Sequence, residues 1–293
     1  MTAGSLLVVV GVLAFLAFGP SAGAANLKYA FQNGETHRYG LAMTFDISAG
    51  SLAFGGEALK GSMEMVLSQK TTAVDKGGVA TIQYAVEKIR VVEGKRTINV
   101  PAPPTPLNVR MAPDGRVLEA KGTGLLELGE ADPVSDLAGM FGPEAFGPIL
   151  PHHKVDPGES WDIDLDMANP FGETIRYRGD ATLVRREVID GREAAVIRSA
   201  TNTPFNFRIS FADLADLVGT DAPSELRNAA MTFNGYFTTN LIQSMATESG
   251  FLLSALGDLK MTGTLAFENI PEQLGNLSAV FNMTFQITMT SIS

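Results

Sequence analysis

Residues 281–290 read FNMTFQITMT. Phe281, Met283, Phe285, Ile287 and Met289 take every odd position, and Asn282, Thr284, Gln286, Thr288 and Thr290 every even one. Side chains leave an extended chain on opposite faces in turn, so this stretch describes a strand with one dry and one wet face. Strands of parallel sheets are usually buried on both faces, and a half-wet strand therefore points to an antiparallel sheet.

The same period of two recurs outward from this stretch. His37, Tyr39, Leu41, Met43, Phe45 and Ile47 alternate with Thr36, Arg38, Thr44, Asp46 and Ser48; Leu59, Met63, Met65 and Leu67 continue the pattern. Trp161, Ile163, Leu165 and Met167 alternate with Asp162, Asp164 and Asp166, and Leu259, Met261, Leu265 and Phe267 with Lys260, Thr262, Thr264 and Glu268. Asn33-Gly34, Asp75-Lys76-Gly77-Gly78, Pro113-Asp114-Gly115 and Asp190-Gly191 fall between such runs and supply the positive φ that tight hairpins need. Residues 132–149 and about 211–230 interrupt the strands and read as short helices broken by Gly and Pro.

The order of the pieces repeats. A long hairpin over 61–89 is followed by a shorter one over 108–122; a second long hairpin over 179–203 is followed by a shorter one over 243–257. We read this as an internal duplication, with a first β half over 25–150, a second over 151–293, and the Pro-marked stretch ILPHHKVDPG (149–158) at their junction. The expected fold is mainly β: duplicated, antiparallel, strongly curved sheets, half-barrel or sandwich-like, with a few short helices.

Composition narrows the function. The 293 residues carry Lys+Arg 22 against Asp+Glu 32, a net charge of −10, which gives no attraction for nucleic-acid phosphates. A chain 45% hydrophobic and 18% charged is not a disordered tail. With no cysteine, disulfides, thiolate metal sites and cysteine nucleophiles are excluded.

Residues 1–24 hold no charged side chain. Leu6–Phe18 is apolar but for one glycine, Gly19-Pro20-Ser21 breaks it, and Ala22-Gly23-Ala24 is a small-x-small site. That order reads as a secretory signal peptide cut before Ala25, with a secreted or periplasmic cell-envelope destination. The alternative is an uncleaved membrane anchor, for which Leu6–Phe18 is short against the roughly 20 residues that a span requires. No second long apolar run follows, so no transmembrane span is expected in residues 25–293.

Two motifs carry a family resemblance. YAFQNGETHRY (29–39) has an aromatic strand, a Gly-Glu turn and an Arg-Tyr strand; LPHHKVDPGESWDID (150–164) has Leu-Pro, then Val-x-Pro-Gly-acidic-x-Trp. Both resemble segments of an uncharacterised family of exported bacterial β-rich proteins, a domain of unknown function. The resemblance implies export and a duplicated β body, and brings no activity and no catalytic residues. In physical terms Pro157-Gly158 is a turn and Trp161 a large apolar anchor opening a strand.

Chemistry is sparse. The 3 histidines are His37, on the apolar side of its strand and read as half-buried packing, and His152-His153, a loop pair whose adjacent side chains point apart. With Asp156 and Glu159 the pair could hold zinc, but no third histidine completes a common site, and a solvated loop is the preferred reading. Asp162, Asp164 and Asp166 share a strand face that does not converge oxygens as calcium requires, so a weak calcium site ranks below a solvated face. No Gly-x-Ser-x-Gly elbow and no phosphate-binding glycine loop occurs; Gly122-Thr123-Gly124 has Glu127 where a dinucleotide fingerprint needs its third glycine. The acidic pairs Glu127/Glu130 and Asp213/Asp216 define no cleft. We therefore expect a non-catalytic protein with no cofactor and no metal.

The 12 methionines are more informative. Methionine is flexible and polarizable and recurs where varied apolar partners are accepted. Met43, Phe45, Met63, Met65, Met261, Phe285 and Met289 form the candidate apolar ligand face of a concave sheet, with lipid as the expected partner. An ordinary core in which methionine fills gaps is the plainer account of the same residues, and a scaffold that meets another envelope protein is the alternative function.

Overall fold

The computed structural model describes residues 24–49, 58–94, 96–102, 106–121, 147–168, 174–212, 226–271 and 278–292. The helices expected over 132–149 and 211–230 lie largely outside these residues, as do the acidic pairs Glu127/Glu130 and Asp213/Asp216 and nearly all of the leader.

The described chain is almost entirely strand. In order these are β1 (Thr36–Ala49), β2 (Leu59–Val74), β3 (Ala80–Glu93), β4 (Arg96–Val100), β5 (Leu107–Met111), β6 (Val117–Lys121), β7 (Ser160–Ala168), β8 (Thr174–Ile189), β9 (Arg192–Ser210), β10 (Ala230–Ala246), β11 (Leu252–Glu268) and β12 (Ser278–Ile292). All belong to one 12-stranded antiparallel sheet of order β6-β5-β3-β2-β1-β12-β11-β10-β9-β8-β7, with β4 on β3. The strands before and after residue 150 run outward in opposite directions from the central β1–β12 pair, so β6 and β7, adjacent in sequence, are the two edges.

Register carries one dry face across the whole sheet. Phe285 pairs with Phe45 on one side and Leu259 on the other, Leu259 with Thr239, Thr239 with Thr201, and Thr201 with Gly179. Because side chains alternate, fixing one such row fixes all the others. The opposite face is wet and laced with cross-strand ion pairs: Lys60–Asp46 at 2.6 Å, Arg90–Glu64 at 3.2 Å and Arg208–Glu268 at 3.1 Å. Exposed pairs of this kind contribute about 1 kcal/mol or less each, so the dry face holds the fold.

Glycine permits the bend. Gly179, Gly235 and Gly257 lie on the dry face, where a Cβ would run into the carbonyl oxygens of Ala200, Thr262 and Asn240 respectively. Neighbouring strands cross too closely there for any side chain, which is how glycines let a sheet coil sharply. Gly235 also faces Gly263 across the strands, and the Phe233 ring covers the space that both leave open.

The two ends of the sheet differ. At one end the connections are tight: Asp75–Gly78 with Gly78 at φ 82°, Pro113–Gly115 with Gly115 at 89°, and Asp190-Gly191 at 51° and 77°. At the other end β1–β2, β7–β8, β9–β10 and β11–β12 are joined through residues outside those described.

The tight end is also strapped. Ala25 exchanges backbone hydrogen bonds with Val155 at 2.8 and 3.0 Å. Tyr29 N–H donates to Pro113 O at 2.8 Å, Ala30 N–H to Ser249 O at 3.0 Å, and Leu150 N–H to Asp114 O at 2.8 Å. Leu27 and Tyr29 bury into a cluster with Trp161, Ile163, Leu183 and Met245.

Candidate functional site

Period-two alternation places all seven sequence candidates on the dry face, and packing then closes over them. Met43, Phe45, Met63, Met65, Met261, Phe285 and Met289 are between 1% and 6% exposed and belong to a single cluster. They are the floor of the curved face, touching one another across strands: Met43 pairs with Met63, Phe45 with Phe285, and Met261 with Met283.

The accessible apolar surface lies nearer the long-loop end. Ile47, Leu59, Phe207, Phe237, Leu265 and Phe281 pack on the floor but are only half-buried. Several are linked ring to ring: Phe207 stacks on Phe233 at 5.6 Å, and Phe233 meets Phe281 edge-on at 5.8 Å. The sequence pattern puts Ile47, Leu59, Leu265 and Phe281 on the apolar faces of their strands without marking them as ligand-face candidates, and it does not single out Phe207 or Phe237. Phe205, Phe207, Phe233, Phe237 and Phe281 share one parity in their strands, and that was the available signal.

A polar band lies next to the phenylalanines. Thr203 is the cross-strand partner of Phe237, and Thr201 that of Thr239. Thr201, Thr203 and Thr239 are 6%, 1% and 1% exposed although they occupy dry-face positions. Their hydroxyls form a chain, with Thr201 Oγ1 to Thr239 Oγ1 at 2.7 Å and Thr239 Oγ1 to the Tyr177 hydroxyl at 3.2 Å. Ser199 donates to Gln243 Oε1 at 3.4 Å, and Arg178 N–H donates to Thr203 Oγ1 at 3.2 Å. Buried polar groups are costly unless hydrogen-bonded, so this band is a built feature of β8–β10. On β1 the Tyr39 hydroxyl, in a residue 2% exposed, has no hydrogen-bond partner among the described residues. Burial pushes its pKa far above the usual phenol value, so the group keeps its proton.

The two sequence motifs come together at the strapped end. The Tyr29 hydroxyl donates to Pro148 O at 3.1 Å, and the Trp161 indole N–H donates to Ile149 O at 2.8 Å. Burial raises the Tyr29 pKa, so its proton stays on the donated bond. Gly115 fits beneath them, since a Cβ there would meet Pro148 O at 2.7 Å and the Tyr29 ring at 2.9 Å. Together these contacts form a clasp.

His37 packs as expected, its ring 4.2 Å from Phe251 in a stack and Nε2 3.0 Å from Glu35 Oε1. Arg192 lies over the same Phe251 ring at 5.2 Å. Burial lowers the His37 pKa from its ordinary value, and the Arg192 charge adds to this, while Glu35 opposes both. This stack lines an outer concavity of ≈ 830 Å³ between the start of β1, the β8–β9 turn and the end of β12.

His152 is exposed, with Nε2 3.6 Å from Asp114 Oδ2. Asp164 is engaged by Arg176 at 2.7 and 2.6 Å and by Arg178 at 3.8 Å, and the hydrogen bonds from Arg176 hold its carboxyl below the usual range. Asp162 faces Asp180 across the strands. Among the described residues no group of three or more His, Cys, Asp or Glu side chains is placed to hold a metal ion.

No protein-family model and no curated protein matches the chain. Among solved structures, DynF from the dynemicin biosynthesis pathway of Micromonospora chersina is 9% identical, over 91% of this chain and 86% of its own, with a TM-score of 0.21. Pseudomonas aeruginosa OpdQ is 8% identical, over 88% of this chain and 99% of its own, with a TM-score of 0.18. Superpositions this poor transfer neither architecture nor activity. No helix among the described residues is long and apolar enough to cross a membrane.

Proposed function

We propose that the chain is an exported, non-catalytic protein that holds an acyl-chain ligand against the half-buried ring at the long-loop end of its curved sheet. One observation carries this reading: Ile47, Leu59, Phe207, Phe237, Leu265 and Phe281 are left half-covered on top of a fully buried apolar floor. Contiguous apolar surface of this kind marks binding sites more often than scattered surface residues do.

Export is supported by the uncharged leader and by the chain around its expected cut. Ala24 is exposed, whereas Ala25 is buried and bridged to Val155, so cleavage between them would leave the strap intact. The arrangement of faces argues against an outer-membrane barrel, which turns its apolar face to lipid. Here the charged pairs are on the outside of the bend and the apolar residues inside.

The test is native mass spectrometry of protein purified without detergent, followed by titration of the delipidated protein with fluorescent acyl probes, neutral and anionic. A co-purifying ligand of lipid mass, or saturable micromolar binding, is the expected result; a clean apo mass with no binding of any probe removes the reading. A scaffold for another envelope protein is the second reading. It is supported by Ile242, 49% exposed, which faces Leu256, 57% exposed, across the outer surface of β10 and β11.

A further inference from the structure

We propose that the outer edge of β7 takes an extended peptide in which basic and apolar residues alternate, adding it as a further strand; this goes beyond the acyl reading and does not depend on it. β7 ends the sheet, with β8 as its neighbour on one side. Its bonds to β8 follow from the turn before it. Gly158, at φ 94°, donates to Leu183 O at 2.7 Å, and Leu183 N–H donates to Glu159 O at 3.0 Å. The backbone of Glu159 thus bonds toward β8, and because antiparallel pairs alternate, so do those of Trp161, Ile163 and Leu165. The N–H and C=O groups of Asp162, Asp164 and Asp166 point the other way, and among the described residues no strand pairs with that side of β7. A row of unpaired backbone groups is a template for strand addition.

Side chains decide the occupant. Trp161, Ile163 and Leu165 stand on one face of β7, and Asp162, Asp164 and Asp166 on the other. β8 shows what complements this pattern: its Arg176 and Arg178 reach Asp164 at 2.6 and 3.8 Å, and Ile175 and Tyr177 alternate with them on the apolar side. Asp162 has no such partner. It stands opposite Asp180, and neither carboxylate makes an ion pair among the described residues. Like charges directly opposite repel, a cost that a cation on an added strand removes. Beside Asp162 lies a hollow of ≈ 270 Å³ between β7 and the β5–β6 turn, with Ile149, Trp161 and Leu165 for walls and Asp162 and Asp164 at its β7 side. The arginine that lines it, Arg116, is bonded to Asp114 at 2.6 Å. A lysine or arginine side chain suits such a place, its stem on the apolar walls and its charge at the carboxylates. A second copy of the chain does not, because two β7 edges brought together set acid beside acid.

The experiment titrates the full chain with acetylated, amidated peptides: Arg-Ile-Arg-Tyr-Arg-Ile-Arg, the same residues rearranged as Arg-Arg-Arg-Arg-Ile-Tyr-Ile, and the alternating sequence with every amide N-methylated. A chain of net charge −10 attracts any cationic peptide, and the rearranged one measures that background. At physiological salt the alternating peptide is expected to bind at least about tenfold more tightly than either control. Asp162→Asn is expected to weaken it about threefold to fivefold, the size of one exposed ion pair, whereas Glu248→Gln, which removes a charge of the same sign from the β10–β11 turn, leaves it unchanged. Hydrogen exchange is the second readout. The amides of Asp162, Asp164 and Asp166 are expected to exchange fast in the free chain and slowly in the complex, with those of Ile163 and Leu165 slow in both. Equal binding of either control overturns the proposal, since net charge or side chains alone then account for it, and absence of binding overturns it outright. Slow exchange of the Asp162, Asp164 and Asp166 amides in the free chain overturns it as well, because the edge is then already covered. None of these outcomes bears on acyl binding.

Discussion

The two ends of this sheet solve the same problem in opposite ways. Both must finish a row of long strands around one apolar face. At the tight end the solution is covalent brevity and cross-bracing: glycine turns, a strap at 25–31, and backbone hydrogen bonds from Ala25, Tyr29, Ala30 and Leu150 to segments distant in sequence. There Trp161, Ile163, Leu183 and Met245 are 7% exposed or less. At the long-loop end strand follows strand without such bracing among the described residues, and phenylalanines are left half-covered. Bracing and full burial concentrate at the first end, and the half-covered rings at the second are where the proposed ligand would meet the sheet, a division that matches a rigid scaffold carrying a binding region.

The sharpest way to break that comparison is to delete one large side chain at each end. Trp161→Ala removes a buried indole and orphans the Ile149 carbonyl, and is expected to cost about 3–5 kcal/mol. Phe237→Ala removes a half-buried ring and is expected to cost about 1–2 kcal/mol while abolishing acyl-probe binding. Urea unfolding midpoints and probe titration on both variants decide the matter. Equal stability losses, or a binding loss in Trp161→Ala where the protein remains folded, would mean that the ends are not specialised.

A smaller change sharpens the description of the clasp. Tyr29→Phe keeps the ring on Gly115 and removes only the bond to Pro148 O, with an expected loss of about 1 kcal/mol. Hydrogen exchange should report the same loss locally, as faster exchange of the Tyr29, Ala30 and Leu150 amides with β11 and β12 unaffected. Acceleration spread evenly over the sheet would show that the strap is part of one cooperative unit with the rest.

Legibility in the sequence followed the physics of each feature. Alternation is a local property of a strand, so Met283–Met289 and Met43–Phe45 are assigned to the dry face from sequence alone, and their burial agrees. Turn glycines are equally local, and Gly34, Gly78, Gly115 and Gly191 all have positive φ. What is not local was missed. Nothing in YAFQNG says that Tyr29 reaches Pro148, because that contact depends on how far the sheet curls. The curl depends on Gly179, Gly235 and Gly257 facing carbonyls of strands that register alone brings beside them. The threonine band was hidden for a different reason. Thr201, Thr203 and Thr239 stand at dry positions, where a polar residue interrupts the apolar alternation, and the interruption makes physical sense only through the cross-strand hydroxyl partners that register brings beside it. The candidate face was likewise drawn from methionine abundance, which marks core filling as readily as ligand contact, and its residues form the floor beneath the more exposed ring.

The smallest effect separates the ends by pH. His37 belongs to the tight end, stacked on Phe251, with Glu35 beside it on its own segment and Arg192 across the ring from the start of β9. Burial, the dominant cause, sets its folded pKa below the unfolded value of about 6.5. As pH falls past that value the unfolded chain takes up a proton before the folded chain does. Stability therefore declines as pH falls from about 6.5 toward the folded pKa and is flat above and below that window. Partial exposure and the Glu35 carboxylate both shrink the effect, so it should appear only in a difference measurement. His37→Phe preserves the stack on Phe251 and removes the titration. Subtracting its urea-unfolding free energies from those of the parent, at half-unit intervals from pH 8 to pH 5, cancels every other group. The expected difference curve bends downward below about pH 6.5, with the amide protection of the strap falling in parallel. A flat curve would mean that Glu35 cancels the effect of burial, and one that rises as pH falls would mean that Glu35 outweighs burial and that the imidazole binds its proton more tightly in the folded chain.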